Sequence, residues 1–171
     1  LYPPGSIVKP FTGIAGLEAG IISENTVFPY SIVDNKWRPD RSDWYYPAIT
    51  RVKNRGDKCD LYNSIIYSDN IYFAWVAMEL GEEKFVDFFE NKLGFGKKVP
   101  FELSVATSRL KNARTEFNIK LIADSGYGQG EVLISPLQAA LLYCALANDT
   151  GEIYTPYVVE SQWRSDGRDY V

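Results

Sequence analysis

The chain is predicted to be mainly α with a few short strands. Three observations carry that prediction. The run 71–80 is apolar on nearly every side, and a helix apolar all round is a buried one. Ser135-Pro136 sets a capping hydroxyl and a first-turn proline ahead of the apolar stretch 137–146. Between residues 23 and 44 turn residues recur (Asn25, Pro29, Asp34-Asn35, Pro39-Asp40), which leaves room only for short extended pieces. Helices joined by long loops in this way describe one lobe of something larger rather than a complete enzyme domain.

The elements follow in order. A helix begins at Gly5-Ser6, tolerates Pro10 near its first turn, carries Phe11, Ile14, Ala15 and Leu17 at helical spacing, and stops at Gly20. Residues 60–67 read as a short helix with Leu61, Ile65 and Ile66 on its apolar side. Ser68-Asp69-Asn70 precedes the buried run, and Gly81 ends it. Glu82-Glu83 open the next helix, where acids suit the N-terminal dipole; Phe85, Val86, Phe88, Phe89 and Leu93 form its inner stripe, and Gly94 and Gly96 close it. Residues 100–106 read as extended or irregular, and 117–124 fit a short helix or a strand equally well. Gly126-Tyr127-Gly128-Gln129-Gly130 is predicted as a loop. The last helix stops near Asn148-Asp149 and Gly151, and the alternation over 154–159 predicts a strand.

A length of 171 residues suits one domain, residues 1–171. Hydrophobic residues at 46% and charged residues at 23% give an ordinary globular balance, and 15% aromatics favour a packed interior. Net charge is −4 and no basic stripe exists, which excludes nucleic acid as a partner. No apolar run approaches the roughly 20 residues a membrane span needs. No charged, then apolar, leader opens the chain, so Leu1 is expected to lie inside a longer polypeptide. Histidine is absent, so a serine nucleophile here must use another base, and no metal or cofactor is expected. Cys59 and Cys144 are expected to be unpaired thiols, one of them buried.

Two motifs carry chemistry. Ser6-Ile7-Val8-Lys9 places a hydroxyl and an amine on one helix face, where they can act as nucleophile and base if burial strips the amine of its proton. The plain alternative is a helix cap with a solvated lysine. About one Ser-x-x-Lys match is expected by chance in a chain this long, and Ser108-Arg109-Leu110-Lys111 supplies it. The flanking Pro3-Pro4-Gly5 and Pro10-Phe11 set Ser6 apart, because they fix it at a loop-to-helix junction. Ser68-Asp69-Asn70 stands before the buried helix. It reads either as a cap or as a set of polar groups aimed at a cleft beside Ser6. In the second case Ser68 relays a proton, Asn70 holds a substrate amide and Asp69 braces the loop. Ser23-Glu24-Asn25 matches the same pattern but reads as a turn. The glycine-rich loop lacks phosphate-binding spacing, so its glycines are structural, with Gln129 the residue expected to face a cleft.

Together these stretches resemble the transpeptidase domain of class B penicillin-binding proteins. The resemblance is carried by residues 4–11, 67–81, 124–131 and 135–138 and runs over nearly the whole chain. Residues 68–74 and 123–131 look especially like the low-affinity Gram-positive enzymes, such as that of methicillin-resistant staphylococci. The resemblance implies a cell-wall D,D-transpeptidase. Ser6 would attack the D-Ala-D-Ala bond of a peptidoglycan stem peptide, and β-lactams would acylate the same serine. Lys9 would be the base, Ser68 the proton shuttle and Asn70 a substrate contact, with Gln129 near the cleft. It also implies an extracytoplasmic protein, tied to the membrane only through an anchor elsewhere in the parent chain.

The chain departs from the family pattern in one respect: no Lys-Thr-Gly or Lys-Ser-Gly follows Glu131. In the family that strand binds the substrate carboxylate and supplies an oxyanion-hole N–H, and losing one such donor costs about 10²–10³ in rate. The expectation is therefore the helical lobe of the α+β fold shared by serine β-lactamases and penicillin-binding transpeptidases, with the sheet lobe largely missing. Catalysis by this chain alone is expected to be weak or absent. A class A β-lactamase piece shares both motifs but needs an activating carboxylate after Ser-Asp-Asn, and no Glu-x-x-Leu-Asn pattern is present. A β-lactam sensor, a non-catalytic lobe and a plain helical interaction module are the other readings.

Overall fold

The structure is a computed structural model that describes residues 1–52 and 59–158. A 3₁₀ turn, Gly5–Val8, runs directly into α1, Lys9–Glu18, with Pro10 in the first turn where its missing N–H costs nothing. Two short strands, β1 (Lys36–Trp37) and β2 (Ile49–Thr50), pair antiparallel with Trp37 opposite Ile49. Then come α2 (Leu61–Ile66), α3 (Asn70–Asp87), a π-helical turn (Phe88–Lys92), α4 (Ile119–Gly126) and α5 (Pro136–Ala147).

The core is built around α3. Ile71, Tyr72, Phe73, Ala74, Val76 and Ala77 are fully buried, as an all-round apolar helix requires. α1 and α4 pack on it from two sides. Gly126 comes so close that a Cβ there would stand 2.6 Å from the Phe73 carbonyl oxygen. The Thr12 hydroxyl, fully buried, donates to the Gly126 carbonyl and ties α1 to α4. Gly81 breaks α3 with φ of 72°, so the two predicted helices exist as two segments across a kink. Phe85, Phe88, Phe89 and Leu93 are the buried stripe beyond it.

The loop-rich stretch before α2 is anchored by aromatic packing. Phe28 meets Trp37 and Trp75 edge-on at 5.0 and 5.7 Å between ring centres, and the buried Tyr72 hydroxyl donates to the Thr26 carbonyl. That anchorage fixes β2 beside the N-terminus of α3. On the opposite flank Tyr2 pairs with Ile134 through both backbone bonds, and the Gly5 amide donates to the Gly128 carbonyl. The stretch 126–135 is thus the scaffold of the Ser6 turn. Gly128 has φ of 82°, and a Cβ there would fall 1.9 Å from the Gly5 carbonyl oxygen. Gly128→Ala is expected to cost at least about 2 kcal/mol and to lower Tm by about 5 °C in calorimetry, displacing Ser6 as it does so.

One open reading is resolved and three expectations change. Of residues 117–124, 119–124 are helix, because Asn118 caps α4 through a bond from the Leu121 amide. Gly126, predicted in a loop, is the last residue of α4, where only a hydrogen side chain fits against Phe73. No strand forms over 154–158, since those residues lie outside any backbone ladder; Val159 is outside the described residues. Neither cysteine is fully buried: Cys59 is half-buried and Cys144 exposed, both unpaired. Cys144 is exposed because α5, capped by Ser135 as predicted, buries only Gln138 and Leu142.

Candidate active site

Lys9 is the first residue of α1, and its side chain runs inward to an amine that is only 2% exposed as a residue. Four oxygens surround the amine: Ser68 O at 2.6 Å, Asn70 Oδ1 at 2.7 Å, Ser68 Oγ at 2.8 Å and Ser6 Oγ at 3.1 Å. The Ser68 hydroxyl also donates to Ser6 Oγ at 2.7 Å. Ser6 itself is exposed, one turn before Lys9, and its hydroxyl caps nothing. The cap-plus-solvated-lysine reading therefore fails at both residues.

The second stretch is held by its own chemistry. Asp69 is the N-cap of α3, and its Oδ1 accepts from the Ile71 and Tyr72 amides. Its Oδ2 pairs with the Arg51 guanidinium at 2.9 Å, both side chains being nearly buried. Ser68 sits at φ of 54°, the left-handed region that few side chains tolerate, and this turns its carbonyl and its hydroxyl together onto Lys9. Asn70 donates its amide to the Thr50 carbonyl at the end of β2, which leaves Oδ1 facing the amine.

Burial pushes the Lys9 amine down from its ordinary 10.5 to about 8, against the attraction of Asp69. The same cage can also hold the neutral amine. An ammonium has three hydrogens for four oxygens. In the neutral amine, two N–H groups serve the Ser68 carbonyl and Asn70 Oδ1, which can only accept. The lone pair is left for a hydroxyl. A chain then runs from Ser68 O–H to Ser6 Oγ and from Ser6 O–H to the Lys9 nitrogen. Such a set can deprotonate Ser6 and return a proton through Ser68.

Four of the five predicted residues, Ser6, Lys9, Ser68 and Asn70, meet in this cluster. Gln129 does not: it is exposed in the turn behind Gly5, and its side chain makes no hydrogen bond to the four. The chance motif is structural, since the fully buried Ser108 hydroxyl accepts from the Ser135 amide. Ser23 and Thr26 form the predicted turn. Glu131 accepts from the Asn112 amide and the Thr115 hydroxyl, which hold it below the usual carboxylate range; it braces a loop. Sequence reasoning missed Thr50 and Arg51. Their only signal was a β-branched pair and an arginine in a turn-rich stretch.

The family model for the penicillin binding protein transpeptidase domain matches residues 1–168. "Penicillin-binding protein 3" of Bacillus subtilis is 35% identical over 159 residues, spanning 93% of this chain and 23% of that protein. "Peptidoglycan D,D-transpeptidase MrdA" of Haemophilus influenzae is 28% identical over 94% of this chain and 25% of its own length. Among solved structures, penicillin-binding protein PBP2 of Helicobacter pylori in complex with MreC superposes with a TM-score of 0.73 at 27% identity, over 91% of this chain and 29% of that one. PBP2 of Pseudomonas aeruginosa in complex with WCK 5153 superposes at 0.69 and 26% identity, over 81% of this chain and 32% of that one. The chain spans about a quarter of the length of the curated relatives it matches. Among the described residues no helix is long and apolar enough to cross a membrane.

Proposed function

The chain belongs to the penicillin binding protein transpeptidase domain family, and from that premise we propose that it is the acylation half of a peptidoglycan D,D-transpeptidase. One observation supports this above the others: a buried amine stands 3.1 Å from an exposed serine hydroxyl, and a second hydroxyl bridges both. The neutral Lys9 amine takes the Ser6 proton while Ser6 Oγ attacks the carbonyl carbon between the two terminal D-alanines of a stem peptide. The C–N bond breaks. Ser68 gives its proton to the departing amine and regains one from the Lys9 ammonium. The amine of a neighbouring stem then attacks the ester carbonyl, the bond to Ser6 Oγ breaks, and the proton shed by the amine returns to Ser6 Oγ through Lys9, forming the cross-link. A β-lactam follows the first half of the same path: its ring amide opens onto Ser6 and its nitrogen takes the proton.

Asn70, bonded to Lys9 and to Thr50, is the residue we propose for contacting the substrate amide, and Gln129, outside the cluster, is proposed only as lying near the cleft. By the family resemblance a Lys-Thr-Gly or Lys-Ser-Gly strand, which does not occur after Glu131 in these 171 residues, holds the substrate carboxylate, and the parent protein works outside the cytoplasm on a membrane anchor. The likeness of 68–74 and 123–131 to low-affinity enzymes leads us to expect slow acylation by common penicillins.

Incubation of the full-length protein with benzylpenicillin is expected to give one stable adduct, mapped by peptide mass to Ser6 and absent from Ser6→Ala. An adduct elsewhere, or none at millimolar drug over hours, would overturn the assignment. The 171-residue chain alone is expected to label far more slowly, because it carries half of the oxyanion-binding apparatus.

A further inference from the structure

Arg51 lies outside both motifs, yet it converges on the site from a third element. Its backbone amide donates to the Asn35 carbonyl and its Nε to Asn35 Oδ1, so the residue is fixed at both ends. Its Nη1 reaches Asp69 Oδ2 at 2.9 Å, with the arginine side chain 11% exposed and the aspartate 8%. The neighbouring Thr50 carbonyl takes the Asn70 amide. Thr50, the last residue of β2, and Arg51, the residue after it, therefore grip the second catalytic stretch at two successive positions, Asn70 and Asp69, directly after the carbonyl that Ser68 turns to Lys9.

We propose that Arg51 is a positioning residue for acylation: by neutralising and anchoring Asp69 it holds the 68–70 turn in the one arrangement that presents Ser68 O, Ser68 Oγ and Asn70 Oδ1 to the Lys9 amine. The inference rests on the transpeptidase reading for its rate effect and on the geometry alone for its electrostatic effect. The Asp69 carboxylate acts on Lys9 and draws its proton tighter. Arg51 occupies Oδ2 and offsets part of that charge. Among the described residues around this turn, the Cys59 thiol lies 3.7 Å from Asp69 Oδ2 and stays protonated, since burial and Asp69 push it up to about 12. Asp60 is engaged in capping α2 through the Asn63 amide. No other charged side chain described here touches the Asp69 carboxylate. Removing Arg51 thus leaves a bare carboxylate beside the base.

The test measures Lys9 itself and the acylation of Ser6 in parallel, both in the full-length protein. Acetic anhydride labelling of the Lys9 peptide against pH, read by mass spectrometry, is expected to show a wild-type midpoint near pH 8. Arg51→Gln is expected to move it up by about one unit and to slow benzylpenicillin acylation at pH 7 about tenfold. Arg51→Lys keeps the charge and is expected to hold the midpoint near that of wild type. Arg51→Gln combined with Asp69→Asn removes both charges and is expected to return the midpoint to wild type or below. A folded Arg51→Gln with an unmoved midpoint would overturn the proposal, whatever its rate. So would a double variant whose midpoint stays raised. If Arg51→Gln does not fold, the lysine and double variants decide by the same midpoints. A wild-type protein that no penicillin acylates, with midpoints moving as described, would sink the transpeptidase reading and leave the Arg51 pair standing.

Discussion

Lys9→Met is expected to slow acylation of Ser6 by about 10⁴-fold, the upper range for removing a positioned general base. Methionine fits the volume of the buried stem, so the protein should stay folded. What disappears is the lone pair that faces the Ser6 hydroxyl. The pH profile makes the test specific. In the wild-type protein the acylation rate is expected to rise as Lys9 loses its proton and to level off above about pH 8. In Lys9→Met the residual rate is expected to be flat through that range. Stopped-flow or quenched labelling with a fluorescent penicillin from pH 6 to 10 reads both. A methionine variant within tenfold of wild type at pH 8 would remove lysine from the mechanism.

The same group leaves a mark on stability, and its sign follows from the direction of the shift. Folding lowers the Lys9 value, so below about pH 8 both states hold the proton and the buried charge weighs against folding. Between about 8 and 10.5 the unfolded chain keeps a proton that the folded chain has released, and stability rises with pH. The full span is about 3 kcal/mol. Cys59 and Tyr72 act in the opposite sense above about pH 9, because burial holds both protonated in the folded state. The difference between wild-type and Lys9→Met urea midpoints cancels those contributions. It should narrow as pH climbs from 8 to 10.

The parts of this site that were legible in the sequence are those set by local chemistry. A serine and lysine three apart on a helix share a face whatever surrounds them, and Asp69 caps whatever helix follows it. Gly81 and Ser135-Pro136 punctuate helices for reasons internal to the chain. The burial of Lys9 was not legible. It arises because the start of α1 and the turn before α3 meet across 59 residues, and nothing local to Lys9 distinguishes it from a solvated lysine. Arg51 and Thr50 were invisible for a related reason. Thr50 ends, and Arg51 follows, a two-residue strand whose place is set by aromatic packing at Phe28, Trp37 and Trp75, far from any motif. The exposed side of α5 likewise depends on what packs around it, not on its own apolar sequence.

Ser68→Gly is expected to part stability from activity. Residue 68 is held at φ of 54°, where a side chain costs about 1 kcal/mol and glycine costs nothing. Relief of that strain offsets the loss of the hydroxyl's bonds, while Lys9 keeps the residue-68 carbonyl and Asn70 Oδ1 as partners. The glycine variant should therefore melt within a few degrees of wild type, or above it. Ser68→Ala keeps the strained backbone without the hydroxyl and should melt about 3 °C below the glycine variant. Both should lose acylation by about 10²–10⁴-fold if, as proposed, the hydroxyl that bridges Ser6 and Lys9 carries the proton to the departing nitrogen. A glycine variant that acylates within tenfold of wild type would show that the proton travels by another route. A glycine variant far less stable than the alanine variant would show that the left-handed backbone here carries no strain.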